Sequence, residues 1–104
     1  MQQKRVVITG IGMVTPLGND VATTWQNLLQ GKSGADQISH FDASRFKTQF
    51  ACEVKNLDMS AIFDQKEMRR YDRYIHYAVK SADEAIRNAQ INIEEENALR
   101  CGVI

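Results

Sequence analysis

The chain has 104 residues, enough for one small domain, and its 43% hydrophobic and 25% charged content is ordinary for a soluble protein. Thirteen basic and thirteen acidic side chains cancel, which argues against a general nucleic-acid binder but leaves room for a local basic patch. No apolar run approaches the roughly 20 residues that span a bilayer. The opening MQQKRVVITG lacks the long apolar core of a secretory signal, so a cytoplasmic protein is expected.

Arg5–Thr9 predicts a strand, because Val6-Val7-Ile8 is an unbroken apolar run of the kind covered on both faces. Gly10 and Gly12 loosen the backbone, and Thr15-Pro16-Leu17-Gly18 is turn material. Asn19 and Asp20 are good N-caps. Val21, Ala22, Trp25, Leu28 and Leu29 follow at helical spacing, with Gly31 where a terminating glycine belongs, so a helix is predicted over about 21–30. Residues 32–48 are aperiodic and read as a long surface connection with Phe41 and Phe46 tucked inward. Phe50–Val54 predicts a second strand, and Asp58 caps a short helical turn through Phe63.

Residues 64–70 predict a charged helical turn. Tyr71, Tyr74, Ile75, Ala78, Val79, Ala82, Ala85, Ile86 and Ala89 then step along one face, opposite Asp72, Arg73, Lys80, Asp83, Glu84 and Arg87. This is an amphipathic helix of about 17 residues whose alanines allow close approach of a neighbour. Ile91–Asn97 is polar connection with one helical turn at Glu94–Glu96, and Cys101–Ile104 reads as the start of a buried strand. A domain seldom stops as it enters its core, so a longer protein is expected.

Gly10-Ile11-Gly12 after a strand invites a dinucleotide-binding reading, but Thr15 and Pro16 stand where the third glycine and a helix start would be needed. Cys52 and Cys101 are 49 positions apart, too isolated for a zinc site, and read as two reduced, buried thiols. His40 and His76 are equally isolated. No metal or cofactor is expected.

Residues 7–18, VITGIGMVTPLG, resemble the N-terminal signature V-[VI]-T-G-x-G-x-[VL]-[ST]-P-[LVI]-G of β-ketoacyl synthases. The resemblance continues through Trp25, Leu28-Leu29, Gly31–Gly34, Ile38–Asp42, Phe50-Ala51, Lys66–Arg73 and Glu95–Asn97. It looks most like synthase II of bacterial-type fatty acid synthesis. It implies an α/β fold: residues 1–104 would be the incomplete N-terminal part of a thiolase-like, five-layered α-β-α-β-α architecture. Arg5–Val14 would be its first core strand. It further implies a homodimeric acyltransferase that condenses malonyl-acyl carrier protein with an enzyme-bound acyl thioester. In this family a cysteine at a helix N-terminus carries the acyl chain and two histidines assist decarboxylation. Cys52, Cys101, His40 and His76 match none of these positions, so no catalytic residue is expected in this chain.

Lys66, Arg69 and Arg70 sit at i, i+3 and i+4 on one helix face, and Arg73 extends it at i+7. The resemblance assigns these positions to docking of the acidic acyl carrier protein. The alternative is a solvated helix face partly balanced by Asp64, Glu67 and Asp72. Two other identities stay open: a synthase I or polyketide synthase condensing domain, and a non-catalytic partner subunit of the chain-length-factor kind.

Overall fold

The computed structural model describes residues 2–94 and 98–104. In chain order these form helix α1 (Val21–Leu29), strands β1 (Asp36–Gln37) and β2 (Phe50–Ala51), and helices α2 (Gln65–Arg70) and α3 (Arg73–Ala89). A single 3-10 turn follows at Ala98–Arg100.

The start of α1 is fixed by Asp20, whose Oδ1 accepts from Thr23 N at 2.7 Å and whose Oδ2 accepts from Thr23 Oγ1 at 3.0 Å. These two bonds hold the Asp20 carboxyl below its usual range. Its end is a Schellman motif: Gly31 (φ 67°) donates to Leu28 O and Lys32 donates to Asn27 O. The helix contacts the chain before it through polar groups. Thr24 is buried with its hydroxyl 3.0 Å from that of Thr15, and Asn27 Nδ2 donates to Leu17 O. The expected turn at Thr15–Gly18 forms, closed by reciprocal backbone bonds of 2.8 and 3.1 Å. The apolar stripe of α1 points away: Trp25, Leu28 and Leu29 are all exposed.

α3 is the 17-residue amphipathic helix that the spacing predicts. What lies on it differs from expectation. Residues 5–9 form no strand, because the described residues offer no neighbouring strand to complete a ladder. Val6 and Ile8 are 95% and 84% exposed. The segment that follows runs instead along the alanine side of α3. A Cβ at Gly10 would stand 2.2 Å from Ala85 O, and one at Gly12 only 1.8 Å from Ser81 O. Polar side chains of α3 fasten this segment. Glu84 accepts from Met13 N through Oε2 and from Val21 N through Oε1, each at 2.9 Å, and Asn88 Oδ1 accepts from Ile11 N at 3.2 Å. Glu84, on the face opposite the apolar stripe, is half-buried and joins three parts of the chain.

Removing that double acceptor leaves two backbone donors without partners. Glu84→Ala should cost about 2 kcal/mol, and Glu84→Gln, which keeps one acceptor, about half of that. Chemical denaturation of the full-length variants measures both; equal midpoints for wild type and Glu84→Ala would remove Glu84 from this role.

The rest of the chain is held more lightly. β1 and β2 pair antiparallel with Asp36 opposite Ala51 and Gln37 opposite Phe50. The ladder stops there, so the predicted strand over Phe50–Val54 is realised only in its first two residues. Phe41 and Phe46 are not tucked inward. Both are more than half exposed and pack edge-to-face on each other at 5.7 Å. Asp58 Oδ1 accepts from Ser60 N, and Met59 O accepts from Ile62 N and Phe63 N, giving the short capped turn expected there. Met59, 3% exposed, is the most buried apolar side chain described.

Cys101–Ile104 form no strand and are exposed. The turn expected at Glu94–Glu96 lies largely outside the described residues; Glu94 itself donates its N–H to Asn92 Oδ1. The accessible surface is 9340 Å², against roughly 5,900 Å² for a compact protein of this mass. The radius of gyration is 17.6 Å, against about 13 Å. Strand-like and helical apolar faces therefore remain uncovered.

Candidate functional site

α2 is short and stands on its N-cap. Asp64 Oδ1 accepts from Glu67 N at 2.8 Å while Glu67 Oε2 accepts from Asp64 N at 3.0 Å, a complete capping box. Both carboxylates are committed to the backbone at the helix start. Arg69 and Arg70 occupy the last turn and meet the negative pole of the helix, while Lys66 stands in the first turn. Lys66, Arg69 and Arg70 are exposed. Among the described residues Asp83 pairs with Arg87, and His40 lies within reach of Glu53 as a pair only when its ring is protonated; neither contact involves this patch. Charge balance by Asp64, Glu67 or Asp72 therefore takes no form of direct pairing.

Arg73 does not continue that face. Tyr71 (ψ 137°) and Asp72 (ψ 159°) are extended, so the helix breaks after Arg70 and Arg73 opens α3. Its guanidinium donates to His40 Nδ1. The same ring nitrogen lies 3.6 Å from Glu53 Oε1. Glu53 is held in turn by Ser39: its Oε2 accepts from the hydroxyl at 2.7 Å, and both oxygens accept from the backbone N–H. The Ser39 hydroxyl is the main reason the Glu53 carboxyl titrates below its usual range, with the nearby His40 adding to the effect.

His40, Arg73, His76 and Tyr77 line a cleft of about 190 Å³ with Val54 and Leu57. The ring of His76 packs against Phe63 at 5.3 Å, and its Nε2 is buried without a partner. His40 and Glu53 carried no signal in the sequence, because the residues they join are 14 and 33 positions away and follow no periodicity.

Cys52 and Cys101 are exposed rather than buried. Cys52 sits where the two-residue ladder ends, and Cys101 lies in the exposed segment after the 3-10 turn. Among the described residues no three His, Cys, Asp or Glu side chains gather as a metal site, and no helix is long and apolar enough to cross a membrane.

Residues 3–104 match the family described as Beta-ketoacyl synthase, N-terminal domain. The chain is 47% identical over 102 residues to 3-oxoacyl-[acyl-carrier-protein] synthase 2 of Staphylococcus aureus (strain COL), covering 98% of the chain and 25% of that protein. It is 48% identical over 103 residues to the synthase 2 of Coxiella burnetii (strain RSA 493 / Nine Mile phase I), covering 99% of the chain and 25% of that protein. It thus spans a quarter of the length of these relatives. Among solved structures, the ishigamide ketosynthase/chain length factor superposes with a TM-score of 0.75 at 29% identity, covering 86% of this chain and 22% of that one. By its match from residue 3 to residue 104, the chain belongs to the β-ketoacyl synthase family.

Proposed function

We propose that the chain is the incomplete N-terminal part of the N-terminal domain of a condensing enzyme of the synthase II type. The observation that carries this is near-complete coverage of the chain at 47–48% identity by 3-oxoacyl-[acyl-carrier-protein] synthases. In the whole enzyme a cysteine thiolate beyond Ile104 takes the acyl group as a thioester. Malonyl-carrier protein loses carbon dioxide with the help of two histidines. The carbanion left behind attacks the thioester carbonyl, forming the new carbon–carbon bond and releasing the thiolate. The chain grows by two carbons, and none of these catalytic groups belongs to residues 1–104.

The part played by this segment is architectural and electrostatic. Its uncovered apolar faces suit the inner layers of a thiolase-like five-layered fold in a homodimeric, cytoplasmic enzyme. Lys66, Arg69 and Arg70 offer the acidic carrier protein a cationic surface, with Arg73 at its margin. Unpaired exposed cations of this kind raise encounter rates and set orientation.

Reversing Arg69 and Arg70 to glutamate in the full-length enzyme tests this. Each exposed contact is worth about 0.2–1 kcal/mol, and reversal adds repulsion, so kcat/KM with carrier-bound substrate should fall about ten-fold. The loss should lie mainly in KM, shrink as salt rises, and spare a carrier-free acyl thioester. Equal losses on both substrates would make the two arginines part of the active-site structure. No loss on either would make them an ordinary solvated face.

A second reading has one observation in its favour, the 0.75 TM-score to a ketosynthase/chain length factor. It makes the whole protein a polyketide-type condensing domain or a non-catalytic partner subunit. The sequence after Ile104 separates the two, since a partner subunit lacks the nucleophilic cysteine.

A further inference from the structure

Arg73 and the turn that precedes it give the docking surface an unexpected property. Arg73 is three residues past Arg70, at the same corner of the chain, yet its guanidinium is turned to His40 Nδ1. To accept that bond, the imidazole must be neutral, with its proton on Nε2. The same Nδ1 is 3.6 Å from a Glu53 oxygen. Protonated, Nδ1 becomes a donor: it can no longer accept from Arg73, it repels the guanidinium, and it attracts the carboxylate. The two partners of one nitrogen are thus alternatives set by a single proton.

We propose that His40 is a protonation-dependent latch on Arg73: the neutral ring holds Arg73 away from the carrier protein, and the protonated ring turns to Glu53 and releases Arg73 to add a fourth cation beside Lys66, Arg69 and Arg70. This deepens the docking reading above and rests on it. Histidine is the side chain whose charge ordinarily changes between pH 5 and 8. Glu53, tied to Ser39 and held below its usual range, stays anionic through that interval and is ready to receive the imidazolium. Other charged or titratable groups around His40 are His76 and Tyr77 across the small cleft, and Asp36 and Lys55 on the opposite side. Lys55 is engaged with Gly34 O and Glu53 O, which leaves the carboxylate oxygens to His40 and Ser39. The latch strengthens docking as pH falls, the direction in which His40 gains its proton.

The test measures the Kd of purified acyl carrier protein for the full-length synthase between pH 8 and pH 5.5, at fixed salt. Wild type should tighten about two- to five-fold toward the acid end, the worth of one exposed charge contact. Arg73→Ala should remove that gain, leaving only the carrier protein's own pH response; Arg73→Gln serves if the alanine variant fails to fold. His40→Gln, whose amide oxygen can accept from Arg73 at every pH, should hold the weak-binding state throughout. His40→Ala should give the tight-binding state throughout. An identical pH response in wild type and Arg73→Ala overturns the latch, as does a full response in His40→Gln. Arg69→Glu/Arg70→Glu in the same series separates the two ideas: if it binds as wild type at every pH, the docking reading fails and the latch with it. If it weakens binding while Arg73→Ala leaves the pH response intact, only the latch fails.

Discussion

Gly12→Val in the full-length protein should cost about 3–5 kcal/mol and lower the soluble yield. The backbone at Gly12 runs so close to α3 that a Cβ would stand 1.8 Å from Ser81 O and 2.9 Å from Ala85 N. Those are backbone atoms of a helix interior, which cannot swing aside. The segment must therefore lift. When it does, Met13 N loses Glu84 and Ile11 N loses Asn88. Overpacking alone costs about 1–3 kcal/mol, and each orphaned donor adds about 1 kcal/mol. Amide exchange would report the change locally, as lost protection over residues 81–89. A Gly12→Val protein that melts with wild type would show that the segment does not rest on α3.

The second large effect concerns residues 1–104 produced alone. Val6, Val7, Ile8, Trp25, Leu28 and Leu29 are all more than half exposed, and the surface exceeds that of a compact chain by roughly 3,400 Å². Isolated apolar patches beyond a few hundred Å² drive association, and an unpaired apolar strand edge templates it. The isolated chain should sediment as concentration-dependent oligomers, bind a hydrophobic dye strongly and unfold without a sharp transition. A monomer with reversible two-state unfolding would mean that these faces are stable in water, and the proposed place of this segment inside a larger layered fold would be lost.

Local structure was legible in the sequence where local chemistry decides it. Asp20 and Gly31 bound α1 as capping rules require, and the apolar stripe of α3 predicted its 17 residues. The two glycines at 10 and 12 illustrate a partial reading. Their pattern excluded a dinucleotide site, but the reason for them, close passage over Ser81, Ala85 and Ala89, is a tertiary fact. The strands at 5–9 and 101–104 were predicted from apolar runs that describe where a segment would be comfortable. Such a run supplies no hydrogen-bonding partner, and a strand exists only with one. Phe41, Phe46 and the α1 stripe failed for the same reason, since hydrophobicity marks a face as needing cover without providing it. Helical spacing places Arg73 on the face of Lys66, Arg69 and Arg70, but the extended backbone of Tyr71 and Asp72 resets the phase. Glu84 and His40 were invisible as junctions, because their partners are fixed by the fold and not by spacing.

In the reading proposed here, residues 1–104 shape and present a condensing enzyme whose chemistry lies beyond Ile104. Mass spectrometry of cysteine acylation tests it most directly, with residues 1–104 and the full-length protein each incubated with acyl-carrier-protein thioester. The full-length protein should be acylated rapidly and stoichiometrically at one cysteine beyond Ile104, with only slow, partial labelling of Cys52 and Cys101 in either. Fast, stoichiometric acylation of Cys52 or Cys101 would contradict it.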